Sequence, residues 1–482
     1  MYVKKLTIEN LRSLESVQFE FNAPGKVAGV AFPNVNVVLG GNGSGKSSVL
    51  RGVALALLGP LLSSSSGFVP ESLIRRPPRR SSGAATPALR ARIEAAVELS
   101  AFDLKGDLKQ ANSASSIRLS LETTVEARGT VELLLCKCSP QSMQHTIEEA
   151  LFDESSAGYF VVGYGASRRV ESSTGVDESA RTKARLKRYG RVAGLFEEHL
   201  GLIPLSYWLP KYSSENKGRY VQVMHLLDEL LPPECRIEPL ASNSADEHTY
   251  LMNEVSLPFR ALSDGYRAYI GWIGDMLFHL CMGAGKGKKL RETEGVVLVD
   301  EIDLHLHPEW QRVVVPTLAK ALPRVQFIVT THSPLVVGSL QARNLYVLKE
   351  EGGATTASQL TERVHGRSAE QILLSPYFGL DSTRSPEVAR MLQLLSGRAA
   401  AGDKDAATRY LEVLSKGLAF SDIAPTLTAL ERGNRKASAD ARRALANAKG
   451  PGAPANGAAR NVAKAPAKRV KKAAKPPRKA AK

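Results

Sequence analysis

Residues 40–47 read Gly40-Gly41-Asn42-Gly43-Ser44-Gly45-Lys46-Ser47 and match G-x-x-x-x-G-K-[ST], the pattern of a phosphate-binding loop. In such a loop backbone N–H groups surround the phosphates, the lysine adds a positive charge, and the final hydroxyl binds Mg²⁺. A β-rich apolar run precedes the loop at residues 35–39, and residues 48–58 follow with apolar residues at helical spacing. This order of strand, loop and helix points a helix N-terminus at the phosphates. We therefore predict that a nucleotide contacts Gly40, Asn42, Gly43, Ser44, Gly45, Lys46, Ser47 and Ser48.

The composition is that of a globular protein. The chain has 482 residues, of which 43% are hydrophobic and 23% are charged. Residues 1–6 lack the apolar segment of a signal peptide, and no apolar run reaches the ~18 residues needed to span a bilayer. The four cysteines fit a reducing compartment. We therefore expect a cytoplasmic protein without membrane contact.

The net charge of +16 is concentrated at the C-terminus. Residues 433–482 contain 15 Lys and Arg and one acidic residue, so they contribute +14 and the remainder only +2. Their Ala, Lys, Pro and Gly composition cannot bury a core, so we predict a disordered basic tail with nucleic acid as a partner. A second basic run, Arg75 to Arg80, lies in a Ser-, Arg- and Pro-rich stretch over residues 61–87. We predict a mobile surface loop there, either solvated or in contact with nucleic acid or nucleotide.

Two later apolar runs end in residues suited to nucleotide hydrolysis. Residues 295–299 have the continuous apolar pattern of a buried parallel strand, followed by Asp300 and Glu301. After a phosphate loop, Asp300 is expected to hold Mg²⁺ and Glu301 to polarise the attacking water. Residues 325–331 form another apolar run with His332 at its end. The alternatives are a pair of surface acids and a structural histidine.

The order of these motifs resembles that of an ABC-type ATPase head. Residues 262–266, Leu-Ser-Asp-Gly-Tyr, resemble the ABC signature LSGGQ, with Asp264 in place of a glycine and Tyr266 in place of the glutamine. This resemblance implies that Ser263 and Gly265 hold the γ-phosphate of ATP bound to the opposite subunit. It therefore implies a homodimer, or a larger assembly, that closes around ATP.

Further phrases resemble the RecF, SMC and OLD-like (overcoming-lysogenization-defect) ATPases. IENLRSL at residues 8–14 resembles the opening of RecF and SMC-type ATPases and implies that Arg12 reaches the nucleotide; a solvated turn arginine is the alternative. LHLHP at residues 304–308 resembles their D-loop region, and residues 368–384 resemble a phrase of ATPases from bacterial anti-phage systems, the Septu type among them. The same resemblance implies that His332 contacts the γ-phosphate and reports its loss.

A further position departs from the ABC pattern. ABC ATPases carry a glutamine that links the nucleotide to the variable lobe, after a strand that resembles residues 159–164 here. The turn that follows this strand contains Arg168 and Arg169 and no glutamine. The role of these two arginines is open at the level of sequence.

We predict an α/β fold, a P-loop NTPase of the ABC-ATPase head type with a mixed sheet containing parallel strands, a β-rich layer and an inserted helical lobe. Residues 3–8 and 16–21 predict a hairpin, and residues 92–99, 117–125 and 131–138 predict the strands of the β-rich layer. Residues 189–205 and 220–231 predict helices. The predicted divisions are 1–158 and 256–350 for the two halves of the head, 159–255 for the helical lobe, 351–432 for a helical extension and 433–482 for the tail.

These patterns predict an ATPase that binds ATP and Mg²⁺. They leave open which cellular process the ATPase serves. We favour a sensor or regulator of a separate effector, such as a nuclease, in anti-phage defence. This interpretation rests on the resemblance of LHLHP and of residues 378–384, and on the absence after residue 350 of the acidic motif of the Toprim domain that OLD nucleases carry. A RecF-like DNA repair ATPase that binds DNA through the basic tail is the alternative, and a transporter subunit is a third. The region between Ser47 and Leu262 has no sustained heptads, which excludes the long coiled-coil arm of an SMC protein.

Overall fold

The computed structural model describes residues 1–25, 29–64, 68–76, 90–105, 116–129, 131–153, 156–170, 187–197, 200–239, 248–285, 287–351, 354–417 and 421–432. The chain divides into two compact units, residues 1–383 and residues 384–482. The predicted basic tail at 433–482 and the arginine run from Pro77 onward lie outside the described residues.

A six-stranded sheet forms the centre of the first unit. In spatial order its strands are β14 (Ala354–Ser358), β13 (Leu345–Glu351), β3 (Val35–Gly40), β12 (Val325–Thr330), β11 (Gly295–Val299) and β7 (Val161–Tyr164). All neighbours from β13 to β7 are parallel, and only the described pair of β13 and β14 in this sheet is antiparallel. The mixed sheet with parallel strands is therefore confirmed, and its continuous apolar strands are buried on both faces.

A second, antiparallel sheet covers one face of this centre. Its order is β2 (Leu14–Glu20), β1 (Tyr2–Leu11), β4 (Arg90–Leu99), β5 (Ile117–Arg128) and β6 (Val131–Ser139). The predicted N-terminal hairpin is the antiparallel pair of β1 and β2, and the predicted β-rich layer is β4 to β6. Both predictions are confirmed.

Helix α1 (Lys46–Ser63) packs between the two sheets and shares a hydrophobic core with both. Its length and apolar composition would suffice to cross a membrane, but 78% of that window is buried inside the protein. This burial is that of a core helix. Since Leu61 and Leu62 are buried within α1, the loop predicted over residues 61–87 begins later than expected.

Helices and a small sheet complete the described part of the first unit. The further helices are α2 (Ala101–Lys105), α3 (Gln144–Phe152), α4 (Lys187–Gly190), α5 (Leu205–Glu215), α6 (Lys217–Leu230), α7 (Asp264–Gly283), α8 (Pro308–Gln311), α9 (Val314–Ala321), α10 (Pro334–Gly338) and α11 (Ala369–Leu373). The small antiparallel sheet has the order β10 (Val255–Pro258), β9 (Thr249–Met252) and β8 (Cys235–Ile237). Helices α5, α6 and α7 share a core with the face of β3 opposite to α1.

The helix predicted over residues 189–205 is wrong. Its described part contains the end of α4, a 3₁₀ turn at Ala193–Leu195 and only the first residue of α5, Leu205. The N–H of Gly163 in β7 donates to the Arg191 carbonyl at 2.8 Å, so this segment lines the edge of the central sheet. A Cβ at Gly165 would lie 2.2 Å from the Gly194 oxygen, which shows how closely the two backbones approach. Tertiary contact here overrides the local apolar spacing. The predicted helix at 220–231 corresponds to α6.

The second unit is helical where the structure describes it. Helices α12 (Pro386–Ala400) and α13 (Lys404–Lys416) are followed by helical residues 421–432. Its small core contains Met391, Leu395 and Val413.

Candidate nucleotide-binding site

The carboxyl ends of β3, β12 and β11 lie side by side, because these strands are parallel neighbours. Their register pairs Thr330 with Val38 and Val329 with Val299. The phosphate loop follows β3, the pair Asp300 and Glu301 follows β11, and His332 follows β12. Open α/β sheets bind their ligands at this edge. The structure therefore brings these three predicted segments together.

The phosphate loop is a tight turn into α1. Gly45 has a φ of 99°, in the left-handed region that side chains rarely adopt. A Cβ there would lie 2.5 Å from Cδ2 of Leu14, so β2 also packs against the turn. Lys46 donates from Nζ to the carbonyls of Gly40 and Gly41, at 3.0 Å each. These two bonds hold the ammonium group against the loop.

The other predicted loop residues differ in exposure. Asn42 and Gly43 are exposed, Ser47 is half-buried, and Ser44 and Ser48 are buried. The Ser44 hydroxyl has no hydrogen-bond partner among the described residues. A helix N-terminus with free N–H groups favours an anion, so the loop has the donors that a phosphate needs.

Thr330 holds both the predicted Mg²⁺ ligand, Asp300, and the predicted catalytic acid, Glu301. Its Oγ1 donates to Oδ1 of Asp300 at 2.6 Å and accepts the N–H of Glu301 at 2.7 Å. Asp300 is only 6% exposed, whereas Glu301 is half-buried. Glu301 has a φ of 47°, and such a conformation is strained in a residue other than glycine. Sequence reasoning missed Thr330, although it stands directly at the end of a predicted strand.

Charges of both signs meet at this edge of the sheet. Burial lowers the pKa of Lys46, and the negative charges of Asp300, Glu301 and Asp303 oppose that shift. Burial also lowers the pKa of His332, and the positive charge of Lys46 adds to the effect. Asp303, Glu301 and Asp300 oppose this shift, and the lowered pKa favours the neutral imidazole.

The donor set fits Mg²⁺ bound to a nucleotide. Mg²⁺ prefers oxygen ligands, keeps several waters and takes few protein groups when phosphates supply the rest. Ser47 offers a hydroxyl at the start of α1, and Asp300 offers a carboxylate that Thr330 orients.

The residues that resemble the ABC signature stand at the start of α7 and not at the ends of these three strands. Ser263 is the N-cap of α7, is exposed, and makes no capping hydrogen bond through its side chain. A Cβ at Gly265 would lie 3.0 Å from the carbonyl of His305, so the signature contacts the D-loop phrase. The hydrogen bonds of the described residues join neither Ser263 nor Gly265 to the phosphate loop of the same chain.

Two networks surround the D-loop phrase. Tyr266 and Trp310 donate from Oη and Nε1 to the same oxygen of Glu234, at 2.9 Å each, which ties the signature helix to α8. Ser333 donates to Oε1 of Gln311 at 2.7 Å, and Nε2 of Gln311 donates to the carbonyl of Leu306 at 2.9 Å. Sequence reasoning missed Glu234 and Gln311, because neither stands in a recognisable motif.

The arginines that the sequence singled out have different surroundings. Arg12 is exposed, and its backbone N–H donates to the Leu73 carbonyl at 2.7 Å. Arg75 pairs with Glu15 at 3.2 Å, so the described start of the arginine run contacts the N-terminal hairpin. Arg169 is exposed, whereas Arg168 is buried beside Glu301.

Among solved structures, an SMC head bound to the C-winged helix domain of ScpA is similar with a TM-score of 0.44 and 15% identity, covering 75% of this chain and 98% of that one. The SMC head domain from Thermotoga maritima has a TM-score of 0.40 and 13% identity, covering 75% of this chain and 99% of that one.

Two family models match the chain. One, described as "AAA domain", matches residues 5–151, and the other, "AAA domain, putative AbiEii toxin, Type IV TA system", matches residues 210–338. The first range contains the phosphate loop. The second contains the signature, Asp300, Glu301 and His332.

Curated relatives include the Septu protein PtuA of Bacillus mycoides (strain KBAB4), which is 24% identical over 392 residues, 79% of this chain and 45% of that protein. The Retron Ec83 probable ATPase of Escherichia coli is 41% identical over 97 residues, 20% of this chain and 18% of that protein. The Septu protein PtuA of Bacillus thuringiensis is 34% identical over 135 residues, 27% of this chain and 34% of that protein. The chain thus spans less than half the length of these relatives. Motifs, fold and relatives agree that the chain is a P-loop protein related to the AAA-domain ATPases, with those of the Septu type among its relatives.

Proposed function

We propose that the chain hydrolyses ATP with Mg²⁺ at a composite site formed by two copies of itself. The observation that carries the proposal is the meeting of Lys46, Asp300 and Glu301 at adjoining ends of parallel strands. Phosphoryl transfer depends mainly on positioning and charge compensation. In this proposal Lys46 binds the terminal phosphates, Ser47 and Asp300 hold Mg²⁺, and Glu301 polarises the attacking water.

The second copy supplies the signature in this proposal. Ser263 and Gly265 lie at the start of the 20-residue helix α7, and the Ser263 side chain is exposed and uncapped. The partial positive charge at this helix N-terminus suits the γ-phosphate bound to the other copy. The neutral His332 contacts the same phosphate from within its own chain, and Arg12 approaches the nucleotide from the hairpin.

We further propose that opening and closing of this dimer regulates a separate effector, such as a nuclease, in anti-phage defence. The relatives named Septu PtuA and retron ATPase support this output. A DNA-directed ATPase of the repair type is the second candidate, because residues 433–482 carry a net charge of +14.

The dimer is tested with Glu301→Gln, which should bind MgATP without hydrolysing it. We expect light scattering after size-exclusion chromatography to give a dimer mass in saturating MgATP and a monomer mass without nucleotide. Adding Ser263→Arg should return the protein to a monomer while each chain still binds ATP. A monomer mass for Glu301→Gln in MgATP would contradict the composite site.

The output is tested by capturing tagged Glu301→Gln protein from its native host with MgATP and identifying bound proteins by mass spectrometry. A nuclease or other toxic effector at equal stoichiometry supports the defence function. Recombination or replication proteins with DNA, and no such effector, would support the repair function.

A further inference from the structure

Arg168 contacts Glu301, which follows β11, and the proposed ATP hydrolysis gives this arginine no role. It follows β7 by four residues, is 9% exposed, and donates from Nη2 to the carbonyl of Glu301 at 2.5 Å. Burial lowers its pKa to about 10, while the charges of Asp300, Asp303 and Glu301 oppose the shift. The guanidinium is therefore protonated at pH 7.

The hydrogen bond falls on a strained part of the backbone. Glu301 has a φ of 47°, and a non-glycine residue in this region costs about 1–3 kcal/mol unless its surroundings hold it. Thr330 accepts the N–H of Glu301, and Arg168 donates to its carbonyl. Both peptide groups of Glu301 are thus held by side chains from other strands or loops.

The same guanidinium reaches the signature helix. Cζ of Arg168 lies 5.8 Å from the ring centroid of Trp272 in α7, within the range of a cation–π contact. Tyr164, the last residue of β7, packs edge-on against Trp272 and donates to Oδ2 of Asp275 at 2.8 Å. Arg168 therefore contacts both Glu301 and the helix that begins at the signature.

A role in stability alone does not account for the surroundings of the Arg168 guanidinium. Its Nη1 is buried and has no hydrogen-bond partner among the described residues. An unpaired buried donor costs roughly 1–3 kcal/mol, and such groups in native structures call for an explanation such as catalysis. Arg188 is likewise buried, but its Nη atoms donate to four backbone carbonyls away from the site.

We propose that Arg168 is a positioning residue that holds the backbone of Glu301 so that its carboxylate faces the attacking water, and that links this position to α7. The inference rests on the proposed ATP hydrolysis at Glu301. It assigns Arg168 a role in the rate of the chemical step and none in nucleotide binding.

The test compares Arg168→Ala, Arg168→Lys and wild type in steady-state ATP hydrolysis. We expect Arg168→Ala to lower kcat by about 10–100-fold, the usual effect of losing a group that orients a catalytic side chain. KM should stay within about threefold, because the phosphate loop is intact. Arg168→Lys keeps the charge and should retain part of kcat, and methylguanidinium added to Arg168→Ala should raise kcat.

Arg188→Ala serves as the matched control for losing a buried arginine. It should lower the melting temperature without changing kcat of the folded protein. An Arg168→Ala kcat within twofold of wild type would overturn the positioning role. A slow Arg168→Ala variant whose kcat does not rise with methylguanidinium would overturn it as well. If Arg168→Ala does not fold, the same decision rests on kcat of Arg168→Lys, which should fall at least threefold. Absence of hydrolysis by the wild type would instead contradict the proposed function.

Discussion

At the scale of single residues, the proposed Mg²⁺ ligand Asp300 and the proposed catalytic Glu301 are held by one hydroxyl. Thr330→Val removes the donor to Asp300 and the acceptor for the Glu301 N–H. We expect about 1–3 kcal/mol of lost stability from the unpaired groups and about a 10–100-fold fall in kcat or in Mg²⁺ affinity. Steady-state ATP hydrolysis titrated with Mg²⁺ measures kcat and the Mg²⁺ affinity, and urea unfolding measures the stability.

Thr123→Val is the control for this change. Thr123 and Thr330 are both 0% exposed, and the Thr123 hydroxyl donates to the carbonyl of Leu55, away from the site. The control should lose a similar amount of stability and keep its kcat. Equal kcat values for the two variants would show that Thr330 is only a core residue.

A buried histidine makes stability depend on pH. Burial lowers the pKa of His248 to about 4, below its ordinary value of 6.5. Because the unfolded chain binds this proton at a higher pH than the folded chain, the free energy of unfolding falls as pH drops from 6.5 towards 4. We expect this residue to contribute about 2 kcal/mol of the loss between pH 7 and pH 5.

Urea unfolding at the two pH values tests this expectation. His248→Gln preserves a hydrogen-bonding side chain beside Tyr220 but removes the titrating group. It should lose less stability on acidification than wild type, whereas the exposed His145→Gln should behave like wild type. An unchanged pH dependence in His248→Gln would contradict the assignment.

At the scale of elements, the turn into α1 depends on the absence of a side chain. Gly45→Ala places a methyl group 2.5 Å from Leu14 and 2.7 Å from Ser13, at a φ of 99°. We expect at least a tenfold loss of ATP affinity, since the turn must open to admit the methyl group. Fluorescent-nucleotide titration measures the affinity.

Gly129→Ala separates the backbone strain from the clash. Gly129 has a φ of 64° but no atom within 4 Å of the added methyl group, and it lies at the end of the hairpin between β5 and β6. It should lose about 1 kcal/mol of stability with unchanged ATP affinity. A similar small effect in Gly45→Ala would mean that the loop does not need its glycine.

The elements of the site were predictable because each strand is a mainly apolar run followed directly by the phosphate loop or by an ionisable residue. Residues 35–39, 295–299 and 325–331 all carry this signal. The role of Arg168 could not be predicted from the sequence, because its partner Glu301 is 133 positions away and no local pattern encodes such a contact. Residues 189–205 were mispredicted for the same reason, since their role is set by the edge of β7.

At the scale of the whole molecule, the sheet is assembled from distant segments. β3 lies between β12 and β13 in the sheet, although these two strands come more than 280 positions after β3 in the chain. Sequence periodicity alone does not predict that these strands are neighbours. The order of the motifs does so only through the resemblance to ABC-type ATPase heads. The spatial order of the strands and their register came only with the structure.

The distribution of charge over the whole chain gives another prediction. Deleting residues 433–482 removes a net charge of +14 and leaves the described residues intact. We expect DNA binding that weakens by orders of magnitude between ~50 and ~200 mM salt in the full chain, and little binding in the shortened one. Filter binding measures the affinity, ATP hydrolysis should be unchanged, and full retention of DNA binding would move the site onto residues 1–432.

The bond between Gln311 and Ser333 has a consequence for time as well as for structure. It joins the segment that carries His332 to the D-loop phrase through Leu306. In the proposed hydrolysis cycle, loss of the γ-phosphate would shift the first segment, and this bond would pass the shift to the second, which contacts Gly265. In the proposed dimer, the lifetime of bound ATP would set how long the two chains stay closed, and the rate of hydrolysis would set how long an attached effector is held in one state.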